Sequence, residues 1–238
     1  MATFSLIGVL SIIHIISLAI SAIASVVLYR AEKRSKNSMV RQFMWFFIFV
    51  FVWMATFFIS IFVTTNTFTE SAGREIVTAH GFFLVGLAFV ARIYAKMALP
   101  KYEKLIFNVT MFTAITVIAL GVYLQSPFTD ITIIKANTII IQISAILTAL
   151  ILIPVLIFFF TQSFKLDDAI AAVRSFFFGV GFTLLLWHAI SLVLIPTYGV
   201  IPWIIGEALN VLAFSLLLAG ILYSTPTTKI TKKYTNAT

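Results

Sequence analysis

Seven stretches of the chain consist almost wholly of apolar residues, at 4–29, 42–63, 76–97, 105–124, 137–160, 173–195 and 200–223. Each approaches or exceeds the roughly 20 residues that an α-helix needs to cross the hydrocarbon core of a bilayer, about 30 Å thick. The connections between them run to roughly 4 to 12 residues, too short to hold a folded soluble domain. The pattern therefore predicts an all-α integral membrane protein, a bundle of about seven transmembrane helices over 1–224, followed by a polar, Thr-rich and flexible tail at 225–238.

Polar punctuation supports this division. Pro100, Pro127, Pro196 and Pro226 fall in connections, and Pro202 falls in a first helical turn, where its missing N–H costs nothing. Only Pro154 lies inside a span, where it frees the carbonyl of Leu150 and predicts a kink. In the first run, Ala22-Ile23-Ala24 resembles a small-residue cleavage site, but the preceding segment lacks the positive charge of a signal peptide. The run is accordingly expected to be a membrane span. No internal repeat is visible, so the paired-repeat architecture of many transporters is not expected.

Composition points the same way. The chain is 61% apolar and only 10% charged, and its mean hydropathy is +1.11. Even well-folded soluble domains bury only about 70–75% of the surface their chains expose, so lipid has to cover the remainder. A net charge of +8 would suggest nucleic acid if it formed a patch on a soluble domain. Here it is distributed by loop instead. Of the 16 Lys and Arg residues, all but Arg74 and Lys135 fall on one side of the seven crossings. Because Lys and Arg are retained in the cytoplasm, that side is expected to be cytoplasmic and the N-terminus to lie outside. Such a basic face attracts anionic membrane lipids or docks a protein partner, and no nucleic-acid partner is expected.

With no cysteine, disulfides, thiolate metal sites and cysteine nucleophiles are excluded. Neither a phosphate-binding glycine loop nor a nucleophile motif is present, so no catalytic activity of its own is expected. Asp167 and Asp168 read as caps for the sixth helix rather than as paired catalytic carboxylates.

Ionisable side chains within membrane spans cost at least about 2.5–3.5 kcal/mol each on insertion scales, which makes them candidates for function. They are Glu207 in the seventh span and His14, His80 and His188 in the first, third and sixth. Counting from the turn near Thr197 at about 1.5 Å per residue places His188 and Glu207 at similar depth, and all four groups in the outer half of the membrane. Glu207 shares a helical face with Asn210, and His188 with Ser191. If those faces meet, a Glu207–His188 hydrogen bond creates a small polar site for a ligand or proton between the third, sixth and seventh helices, flanked by Trp187 and Trp203.

Two of His14, His80 and His188 could also supply the axial nitrogens of a haem b. Gly81, Gly86, Gly179 and Gly181 would admit a flat macrocycle or else allow close helix packing, the commoner use. No paired His-x-x-x-His spacing marks a divalent metal site. Gln142, Ser144 and Thr148 in the fifth span are further polar positions that could line a pocket. The layout resembles that of rhodopsins in topology only. Those proteins hold retinal on a Lys of the seventh helix, whereas 200–223 contains none, so a Schiff-base chromophore is not expected. The leading expectation is a receptor-like or sensory membrane module. A haem-binding or structural subunit of a redox complex, and a small transporter or channel, are the alternatives.

Overall fold

In the computed structural model, residues 2–63, 70–124, 133–198 and 201–223 are described. They form seven α-helices: α1 (Ala2–Ser35), α2 (Ser38–Val63), α3 (Glu70–Ala98), α4 (Glu103–Leu124), α5 (Ile133–Lys165), α6 (Ala169–Tyr198) and α7 (Ile201–Leu222), with one 3₁₀ turn at Pro100–Tyr102 between α3 and α4. Every one of the seven is long and apolar enough to cross a membrane. The expected tail at 225–238 and the side chains of Arg74 and Lys135 lie outside the described residues.

Several helices run further than their apolar runs. Arg30, Lys33 and Arg34, expected in a connection, instead form the last turns of α1. Arg41 belongs to the first turn of α2. Lys, Arg and Glu are good helix formers, so loss of hydrophobicity at the membrane boundary does not stop the helix. What stops it is local geometry. Lys36 adopts φ 51° and its N–H bonds the Glu32 carbonyl at 2.7 Å, a left-handed C-terminal cap. Asn37 then caps α2 by accepting the Met39 N–H at 2.8 Å. At the start of α6, Asp168 caps in the same way, its carboxylate accepting the Ile170 N–H at 2.9 Å. Pro154 sits within α5 as expected.

The helices pack as sequential neighbours α1–α2–α3 and α5–α6–α7, with α3 against α5 and α7 against α1 closing a ring of six. The α1–α7 seam is the lightest of those that close it. Helix α4 stands outside the ring, packed on α3 and barely touching α5. Burial reflects this: 78% of the α3 span is enclosed, against 22% for α4.

Aromatic side chains fill the ring. Phe46, Phe47, Trp53, Phe83, Phe182 and Phe214 are all fully buried. On α2, Phe46, Val50, Trp53 and Phe57 recur along one helical stripe, which carries that helix inward. From it Phe43 stacks on Phe178 of α6, and Phe47 meets Phe214 of α7 edge-on. Lipid offers no hydrophobic drive for helices to associate, so close packing at small residues matters more than in water. A Cβ added at Gly81 would overlap Ile118, and one at Gly86, Gly179 or Gly181 would press on Phe46, Phe160 or Leu217. All four glycines therefore serve helix contacts.

Antiparallel connectivity gathers the described cations at one end of the bundle. There Arg92 pairs with Glu103 at 2.8 Å, Arg41 with Glu32 at 2.7 Å, and Lys96 donates to Ser38 at 2.8 Å. Arg174 reaches from α6 to donate to the Tyr223 carbonyl at 2.7 Å, engaging the C-terminal end of α7.

Candidate functional site

Glu207 lies on the second turn of α7 with 2% of its side chain exposed. Asn210, one turn later on the same face and fully buried, donates from Nδ2 to Glu207 Oε2 at 3.1 Å. Two imidazoles approach the carboxylate from other helices. His14 of α1 brings Nε2 to 3.7 Å from Oε2, and His188 of α6 brings Nδ1 to 3.7 Å from Oε1. The α6 and α7 faces do meet, but this separation exceeds hydrogen-bond length, so the direct Glu207–His188 bond anticipated from the sequence is not formed.

Small residues set that approach. A Cβ at Gly206, adjacent to Glu207, would collide with Ser191 Oγ and come within 3.4 Å of His188 Cα. Ser191 turns its hydroxyl back to donate to the His188 carbonyl at 2.6 Å. The serine thus contributes compactness at the seam rather than a group that reaches the carboxylate.

An aromatic layer surrounds the polar groups. His14 stacks on Phe57 of α2, centroids 4.7 Å apart. His80 of α3 lies parallel to His188 at 6.2 Å, and the indole of Trp53 sits edge-on to both, at 6.0 Å from His80 and 5.3 Å from His188. By helical rise, His14, His80, His188 and Glu207 all lie about 24 to 32 Å from the basic end, in the opposite half of the bundle.

Other expected participants are placed elsewhere. Trp187 is 51% exposed on the outside of α6 and does not flank the carboxylate. The side chain of Trp203 lies outside the described residues. Ser144 and Thr148 are buried in α5, a helix that supplies none of the groups around Glu207. The site also draws on α1 and α2, whereas the sequence suggested α3, α6 and α7. Trp53 had no polar signal to single it out, although its place in the Phe46–Val50–Phe57 stripe marks it as inward-facing.

The arrangement constrains its own chemistry. Moving an isolated carboxylate from water into a low-dielectric interior costs on the order of 20 kcal/mol in the Born limit, and several kcal/mol after relaxation. One carboxyl flanked by two imidazoles avoids that cost in two ways, as a carboxylate beside one imidazolium or as a neutral carboxyl beside neutral imidazoles. Any other proton count leaves net charge in the interior, so gain or loss of a proton there changes how strongly these groups hold α1, α6 and α7 together.

The residues suit a metal or haem less well. Among the described residues no group of three or more His, Asp or Glu side chains could hold a metal ion. For haem, an axial pair made of His80 and His188 would put the macrocycle in the plane midway between the rings. The Trp53 indole, roughly equidistant from both, already occupies that plane.

No protein-family profile, no curated protein and no solved structure matches this chain.

Proposed function

We propose that the protein is a receptor-like, sensory membrane module in which the buried cluster of Glu207, His14, His188 and Asn210 takes up and releases a proton, with the basic end in the cytoplasm and the N-terminus outside. The observation that carries this reading is the single carboxylate held between imidazoles of two other helices, all three side chains no more than 2% exposed. So enclosed a site suits a proton better than a bulky ligand. Because Glu207 and His14 face each other across the α1–α7 seam, the lightest in the ring, a change in their attraction bears on the contact least supported by other packing. The receiver of the signal in this reading is a protein partner at the basic loops. The concentration of Lys and Arg at one end supports this orientation.

Trp53, which touches His80 and His188, supplies the readout. With Trp45, Trp187 and Trp203 replaced by Phe, the remaining indole should show a sigmoidal, pH-dependent fluorescence change in lipid nanodiscs, since an imidazolium beside an indole alters its emission. Glu207→Gln should shift or abolish that transition while the protein stays folded. A pH-independent signal, or a transition that Glu207→Gln leaves untouched, would make the cluster a packing lock and end the sensory reading.

A further inference from the structure

A second feature lies on the other side of the molecule, where α4 hangs on α3 and leaves a gap beside α5. The gap is a lipid-facing groove of about 510 Å³, with walls that include Leu99, Leu105, Val109, Thr113, Leu150 and Pro154. We propose that it is a binding site for one anionic membrane lipid, its apolar chain lying in the groove and its headgroup held at the basic end by Lys101 and Lys104.

Three observations select this occupant. The first is size. From Leu99 to Leu84 on α3 the groove runs about 22 Å, and from Leu105 to Thr113 on α4 about 12 Å, which brackets the roughly 15 Å of one leaflet. A single extended hydrocarbon chain suits a slot of that length, and it places the headgroup at the basic end.

The second is the chemistry of the walls. Thr110 and Thr113 project hydroxyls on this side of α4, but each donates back to its own helix, to the Ile106 carbonyl at 2.8 Å and the Val109 carbonyl at 2.9 Å. Their polarity is consumed, and the surface they leave is methyl-like.

The third is charge at the mouth. Leu99 and Leu105, at the basic end of the groove, bracket the 3₁₀ turn and the first residues of α4, which carry Lys101, Glu103 and Lys104. Glu103 is taken up by Arg92 at 2.8 Å. Lys101 lies over the ring of its neighbour Tyr102 at 5.9 Å, and both lysines are exposed. The mouth thus carries two positive charges that no described acidic side chain offsets, next to an apolar slot of leaflet depth. A phosphodiester headgroup complements the one and its chain the other.

The test is native mass spectrometry of the detergent-purified full chain, titrated separately with phosphatidylglycerol and phosphatidylcholine of identical chains. The first phosphatidylglycerol should bind about 30-fold more tightly than the first phosphatidylcholine, given the usual attraction of two lysines to an anionic headgroup. Lys101→Gln/Lys104→Gln should bring the two lipids to parity. Val109→Trp, which fills the slot from the lipid-exposed face of α4, should weaken binding of both, with Leu150→Trp as the alternative if that variant does not fold. Equal affinity for the two lipids in the unaltered protein would overturn the headgroup assignment. First-site affinity unchanged by the groove-filling substitutions would overturn the groove itself.

Discussion

His188 Nδ1 and Glu207 Oε1 stand 3.7 Å apart across the α6–α7 seam, each in a side chain at most 2% exposed. Because His14 flanks the other carboxylate oxygen and Asn210 donates to it, deletion and neutralisation of Glu207 should differ sharply. Glu207→Ala strips three polar neighbours of their common partner and opens a cavity, so a loss of about 3–5 kcal/mol is expected. Glu207→Gln keeps the shape and an acceptor for Asn210, and should cost nearer 1 kcal/mol, the scale of interhelical polar contacts in membranes. Denaturant unfolding in mixed micelles, followed by far-ultraviolet circular dichroism, separates the two; equal losses would mean that the charge rather than the shape is what the bundle needs.

The same seam depends on the missing side chain at Gly206. A Cβ there meets Ser191 Oγ and comes within 2.9 Å of Ser191 Cβ, so Gly206→Ala should destabilise by about 1–3 kcal/mol through overpacking. Both clashing atoms belong to one residue. The double variant Gly206→Ala/Ser191→Gly should therefore recover a large part of the loss, as a non-additive pair in direct contact. Additive losses in thermal unfolding would locate the strain elsewhere.

At the basic end, Lys36 closes α1 with φ 51°, a conformation that costs an L-residue roughly 1–2 kcal/mol and glycine almost nothing. Lys36→Gly should raise stability by about 0.5–1 kcal/mol, part of the gain being offset by the greater freedom of glycine in the unfolded chain. The substitution also removes one cation of the basic end, so Lys36→Asn, with its tolerance of the left-handed region, serves as a second check. A melting temperature lowered by both would show that the lysine side chain, not its backbone, matters at this turn.

How much of this was legible in the sequence differs between fold and site for a physical reason. Seven spans follow from apolar length alone, since lipid demands about 20 apolar residues whichever way a helix faces. Inward faces do not follow so simply, because core-facing and lipid-facing positions are both apolar: buried Leu152 and exposed Leu150 are chemically the same residue. Only polar side chains break that degeneracy. His14, Ser17 and Ser21 recur on one face of α1 and are all buried, a stripe that would have turned α1 toward Glu207. Depth counting placed His188 and Glu207 at one level correctly, yet it carries no information on azimuth, so Trp187 and His188, adjacent in sequence, could not be told apart as exposed and buried. The extension of α1 to Ser35 is not legible in hydropathy, because a hydropathy run ends where the membrane ends, whereas a helix ends where its cap is.

The indole of Trp53 also decides what the protein should look like in a spectrometer. It contacts His80 and His188 at 6.0 and 5.3 Å, is 1% exposed, and stands where a macrocycle ligated by those histidines would lie. Protein purified in mild detergent should accordingly show aromatic absorption alone under oxidising and reducing conditions. Trp53→Ala should not create a visible band either, because His14, the remaining histidine, is committed to Glu207 and Phe57. It should instead destabilise the bundle by about 3–5 kcal/mol, the cost of a large aromatic cavity. A reducible visible band lost in both His80→Ala and His188→Ala would mean that the indole swings aside to admit a haem. In that event the two parallel imidazoles would be axial ligands, and the proton site would have to stand on Glu207 and His14 without them.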